Sequence, residues 1–168
     1  FSTSEVYGDY MGVMNEEVMN TVEIKQMNDY AMSKWVNEMQ VMNSATQFKT
    51  ESVRVRLFNT YGPGEPYSPY RSVICLFCYR ALHNIPYTVY RGYKRTSTYI
   101  TDMARTLSNI SENFKPGEVY NIGGTDYHSI IFNCTQRQGV CTLVIGARKI
   151  NIMFICIYLL KNHCLSIP

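Results

Sequence analysis

From Asn28 to Phe48 the chain runs for roughly six helical turns without a glycine or proline, and a β-branched run follows almost at once. A long helix delivered straight into a strand is the unit from which parallel sheets are built. Ala31, Trp35, Met39 and Met42 recur at helical spacing, and Asn28 or Asp29 suits the N-cap. The segment Ser52–Phe58 (Ser-Val-Arg-Val-Arg-Leu-Phe) alternates as a strand does. Asn59-Thr-Tyr-Gly-Pro-Gly then ends it with turn chemistry.

The rest of the chain extends the alternation. The first seven residues read as the end of a strand that enters a loop at Gly8-Asp9, and a polar stretch continues to about Lys25. A helix is expected over 71–83, short strands over 87–90 and 96–100, and a helix to about Asn113 capped by Thr101 or Asp102. Gly117–Gly124 reads as a strand closed by a glycine pair. The expected class is α/β with a largely parallel sheet.

Composition excludes several functions. The formal charge of +3 is small and dispersed, so no nucleic-acid partner is expected. The longest apolar run, Ile152–Leu160, falls far short of the roughly 20 residues that cross a bilayer, and no export signal is read at the start. The expectation is a cytoplasmic protein with reduced cysteines and no membrane partner. Cys75 and Cys78 form a lone C-x-x-C inside a helix-like apolar segment without a second ligand pair, so no metal site is expected. The 14 tyrosines, many of them between Tyr61 and Tyr99, suit a polar small-molecule cleft or an ordinary core.

The pattern richest in chemistry is Asp29-Tyr30-Ala-Met-Ser-Lys34. Four residues are about one helical turn, so the tyrosine hydroxyl and the lysine ammonium share a face. A neighbouring cation stabilises phenolate, which turns a tyrosine into a usable base. Taken alone the pattern is weak, because a surface lysine beside a surface tyrosine produces it too.

Its surroundings carry more. Ser2-Thr3-Ser4-Glu5-Val6-Tyr7-Gly8-Asp9 precedes it, Arg56-Leu-Phe-Asn-Thr-Tyr-Gly-Pro63 follows, and Arg95-Thr-Ser-Thr-Tyr-Ile-Thr-Asp102 and Gly117-Glu-Val-Tyr-Asn-Ile-Gly-Gly124 come later in the same order. Together these resemble the extended short-chain dehydrogenase/reductase family, the NAD-dependent epimerases and dehydratases of nucleotide sugars. The resemblance covers residues 1 to about 130. It implies a partial Rossmann-like parallel sheet with helices, plus part of the substrate-binding segment. It also implies NAD as cofactor, a nucleotide-sugar substrate and a homodimeric parent. By the same resemblance Tyr30 is the acid/base, Lys34 supports it and holds the nicotinamide ribose, and Thr3 bonds the reacting hydroxyl. Phe58 lies near the nicotinamide, while Asn59 and Arg95 reach the diphosphate. Asn59 also fits as a turn former, and Arg95 as a surface arginine.

Thr3-Ser4-Glu5 resembles the dehydratase and decarboxylase branches more than the simple epimerases. Two positions beyond Thr3 on an extended strand, Glu5 shares its face and could remove the C5 proton of a 4-keto sugar or position a carboxylate substrate for loss of carbon dioxide. The alternative is a side chain bonded to neighbouring backbone.

Two departures complete the reading. The family's glycine-rich turn between first strand and helix is absent, so this is expected to be a C-terminal part, inactive alone. After about residue 130 the character changes: no acid occurs beyond Asp126, and Cys134, Cys141, Cys156 and Cys164 crowd the end. Residues 1–130 are therefore expected to be family sequence and 131–168 an atypical tail, either read in another frame or a divergent terminus. Three functions stay open: an epimerase/dehydratase part, a decarboxylase of the UDP-glucuronate type, and a non-catalytic binding protein of the same fold.

Overall fold

The structure, a computed structural model, describes residues 1–83, 85–86, 88 and 94–125 in full, and the backbone of strands at 128–129, 131–133, 142–145 and 148–151. The chain divides into two compact units, Phe1–Phe58 with Met103–Gly123, and Asn59–Asp102 with Gly124–Pro168.

The first unit is built on three parallel strands in the order β1 (Ser2–Thr3), β2 (Arg54–Leu57), β6 (Val119–Ile122). A 3-10 turn, Ser4–Tyr7, leaves β1, followed by the short helix α1 (Val18–Thr21) inside the stretch expected to be only polar loop. Helix α2 (Asp29–Phe48) begins where its cap predicts: the Asn28 side chain accepts from the Ala31 N–H at 2.8 Å. Helix α4 (Ile100–Asn113) starts earlier than expected, so Asp102 stands inside its first turn rather than at its cap.

Alternation along β2 separates the two faces of the sheet. Val55 packs with Met103 and Ile122, joined by Leu57, Leu107, Ile110 and Tyr120, which puts α4 against one face. Arg56 points the other way and meets Glu38 of α2. A second cluster, Val6, Tyr7 and Val18 with Trp35 and Phe58 against it, fills the space around the 3-10 turn. Gly123 lets Phe58 approach: a Cβ there would stand 2.9 Å from the Phe58 Cβ.

Burial along α2 does not follow its apolar spacing throughout. Ala31 is buried, but Met39 and Met42 are 41% and 37% exposed, and Glu38 is buried in their place. The helix turns a carboxylate inward because buried Arg56 requires a counter-charge.

In the second unit, β3 (Thr60–Tyr61) runs parallel to β5 (Thr98–Tyr99), and β4 (Lys94–Arg95) antiparallel to β7 (His128–Ser129). Helix α3 (Val73–Leu82) is capped by Ser72, whose hydroxyl accepts from the Cys75 N–H; Cys75 and Cys78 are buried on it. Strands β8 (Ile131–Asn133), β9 (Thr142–Ile145) and β10 (Arg148–Asn151) form an antiparallel sheet. Of the strand expected over 87–90, all but Thr88 lies outside the described residues, as does most of the tail.

Candidate functional site

Thr3 ends β1 and is buried. Its hydroxyl accepts from the Glu5 N–H at 3.3 Å and so caps the 3-10 turn, which leaves the hydroxyl hydrogen for another acceptor. Tyr30 lies in the first turn of α2 with half of its surface exposed. Lys34 follows one turn on, its Nζ 5.9 Å from the centre of the Tyr30 ring. The two share the helix face that the spacing implied. The same ammonium donates to the Phe1 carbonyl at 3.3 Å, which ties α2 to the residue entering β1.

Glu5 is corrected by the structure. It sits in the 3-10 turn rather than on an extended strand, so the alternation that would have put it on one face with Thr3 does not apply. Its carboxylate is exposed and accepts from the Asn28 side-chain amide at 3.0 Å, a partner remote in sequence rather than the neighbouring backbone. One asparagine therefore caps the helix carrying Tyr30 and holds the carboxylate beside that cap.

Phe58 closes β2, its N–H bonded to the Ile122 carbonyl, with its ring 6.3 Å from that of Tyr7. Asn59 and Arg95 belong to the second unit. Asn59 has a φ of 23°, a left-handed backbone that asparagine tolerates better than most residues. Its amide donates to the Thr96 carbonyl at 3.0 Å, a partner remote in sequence. Arg95 is exposed on β4.

Sequence reasoning missed the polar cluster behind Thr3. Glu38 accepts from Arg56 through two bonds, Nε to Oε1 at 3.0 Å and Nη2 to Oε2 at 2.9 Å, with both side chains almost wholly buried. Ser2 Oγ also donates to Glu38 Oε1. Arg56 Nη1 donates to the Tyr7 hydroxyl at 2.8 Å, and that hydroxyl bonds onward to Asn121 Oδ1 at 2.9 Å. Burial alone pulls the Arg56 guanidinium down, but its bonds to Glu38 and Tyr7 outweigh this and hold it above the ordinary arginine value. The available signal was spacing: Glu38 stands one turn beyond Lys34, on the Tyr30 face.

Among the described residues no helix is long and apolar enough to cross a membrane, and no group of His, Cys, Asp and Glu is arranged to hold a metal ion.

Residues 1–123 match the family described as NAD dependent epimerase/dehydratase. The chain is 33% identical over 133 residues to UDP-N-acetyl-alpha-D-glucosaminuronate decarboxylase of Bacillus cytotoxicus, covering 77% of this chain and 41% of that protein. It is 32% identical over 132 residues to human dTDP-D-glucose 4,6-dehydratase, covering 77% and 36%. Among solved structures it resembles an epimerase of Methanothermobacter thermautotrophicus, with a TM-score of 0.68 at 27% identity, covering 76% of this chain and 39% of the other. It also resembles UDP-glucuronic acid 4-epimerase of Bacillus cereus in complex with UDP-glucuronic acid and NAD, with a TM-score of 0.66 at 29% identity, covering 76% and 40%. The chain thus spans about two fifths of the length of these relatives.

Proposed function

Since the chain belongs to the NAD dependent epimerase/dehydratase family, we propose that it is the C-terminal part of a longer enzyme that oxidises a nucleotide sugar at C4. The observation that carries this reading is Tyr30 and Lys34 on one face of α2, with the strand ending in Thr3 tied to that helix through Lys34 and Phe1. A hydroxyl and an ammonium one turn apart suit the two hydroxyls of a nicotinamide ribose, and the Phe58 ring offers an apolar wall. Bound NAD would supply the hydride acceptor. Tyr30 takes the proton from the sugar hydroxyl, Lys34 stabilises the phenolate, and the Thr3 hydroxyl donates to the developing ketone oxygen. Arg95 and the second amide hydrogen of Asn59 serve the diphosphate.

The outcome after oxidation rests on Glu5. Asn28 holds one carboxylate oxygen, and the exposed group then removes a proton beside the ketone, as a dehydratase requires. The decarboxylase reading is favoured by the Bacillus cytotoxicus relative; there Glu5 orients a carboxylate-bearing sugar as carbon dioxide leaves. We assign the protein to the cytoplasm, the longer protein to a homodimer, and this chain alone to inactivity. Residues 1–130 are the family part and 131–168 an atypical tail, in keeping with a family match that ends at 123.

The test is the full-length protein with NAD and a panel of UDP- and dTDP-sugars, followed by absorbance of the reduced nicotinamide and by product analysis. Activity that survives Tyr30→Phe undiminished would overturn the assignment. Sedimentation of that protein reads the assembly, and mass spectrometry of its C-terminal peptide reads the tail.

A further inference from the structure

We propose that Glu38 and Arg56 are positioning residues that set Thr3 against Tyr30; the inference rests on the function proposed above. Helix α2 meets the start of β1 at two successive turns. Lys34 donates to the Phe1 carbonyl, and Glu38 accepts from Ser2 Oγ. The next residue is Thr3, so its hydroxyl is placed by contacts on the residues just before it. Beyond Thr3 the chain is held again, because Arg56 donates to the Tyr7 hydroxyl and Tyr7 bonds to Asn121 of β6.

The Glu38–Arg56 pair therefore reaches the elements of the first unit that carry Thr3, Tyr30, Lys34 and Phe58. Glu38 is on α2 with Tyr30 and Lys34, Ser2 and Tyr7 flank Thr3, and Arg56 lies two residues before Phe58. The guanidinium fork fixes both distance and angle, which an apolar contact of the same volume does not. It also lies over the rings of Tyr7, at 5.0 Å, and Trp35, at 6.0 Å, so its plane cannot swing without repacking the cluster around the turn. A buried ion pair adds little net stability over well-packed apolar residues; what it adds here is geometry.

The test uses the full-length enzyme carrying Glu38→Met together with Arg56→Met, which removes both charges at nearly conserved volume. We expect a folded protein with unchanged affinity for NAD and sugar, and a hydride-transfer step slowed by about 100-fold, the scale of an ångström of misplacement. Amide hydrogen exchange over residues 2–8 should quicken, a readout independent of turnover. Ser2→Ala removes one tie without disturbing the charges and should slow the same step about fivefold, the equivalent of one hydrogen bond. That variant decides the matter if the double variant does not fold. Variants with an unchanged hydride-transfer step, or with losses confined to thermal stability, overturn the positioning role. A wild-type protein without hydride transfer overturns the proposed function and this role with it.

Discussion

The side-chain amide of Asn28 donates to the Glu5 carboxylate at 3.0 Å while its carbonyl caps the helix carrying Tyr30. A single side chain thus links the proposed acid/base helix to the proposed second base. This relationship gives the Glu5 variant a definite expectation. In the full-length protein, Glu5→Gln keeps the shape and an acceptor for Asn28 but removes the base. Hydride transfer should survive while the following step slows by about 10²- to 10⁴-fold. Stopped-flow absorbance should then show reduced nicotinamide accumulating. Equal loss in both steps would mean that Glu5 only supports the cap.

Asn28→Ala should destabilise the protein by about 1 kcal/mol through loss of the cap. It should also weaken the step assigned to Glu5, because the carboxylate loses its holder. Chemical denaturation combined with the same stopped-flow assay separates the two effects.

Replacing Glu38 alone by Ala leaves the Arg56 guanidinium buried without its carboxylate, and about 3–5 kcal/mol of stability should go with it. Alkali is no substitute for this experiment. A pKa held above its ordinary value contributes stability that is complete below the unfolded value and lost only as pH rises past the folded one. For Arg56 that window lies in strong alkali, above the ordinary arginine value. Urea titration of the single and double Met variants should show the double variant much the more stable.

Gly123→Ala would bring a methyl group against Phe58 at 2.9 Å. The ring or the end of β6 must shift, at about 1–3 kcal/mol. Thermal unfolding should report the loss. A drop in NAD affinity in the full-length variant would accompany it if Phe58 borders the nicotinamide as proposed.

The isolated chain should self-associate and bind NAD weakly or not at all. Among its described residues Met11 is 95% exposed, and Met32 and Val36 of α2 lie about half exposed one turn apart. Sedimentation and calorimetric titration test this, and a monomer with micromolar NAD affinity would contradict it.

Local chemistry was enough to determine much of the first unit. Asn28 offers an acceptor to the orphan N–H groups of a helix start, so the beginning of α2 was legible, and the absence of glycine and proline carried it to Phe48. β2 declared itself by alternation with a β-branched start and by the turn residues that follow, and β6 by the glycine pair that closes it. The Tyr30–Lys34 pairing needed only the helical period.

Tertiary structure alone decided the rest. Helical spacing picks out Met39 and Met42, yet Glu38 is the residue buried, because only assembly of α2 against β2 brings Arg56 to it. Glu5 left the strand because the Thr3 hydroxyl captures its N–H and starts a 3-10 turn, and its carboxylate found Asn28 across 23 residues of sequence. A hydrophobic period records which face meets apolar surface. It holds no record of two charges that neutralise each other on burial, since each reads as solvent-facing until the other is in place.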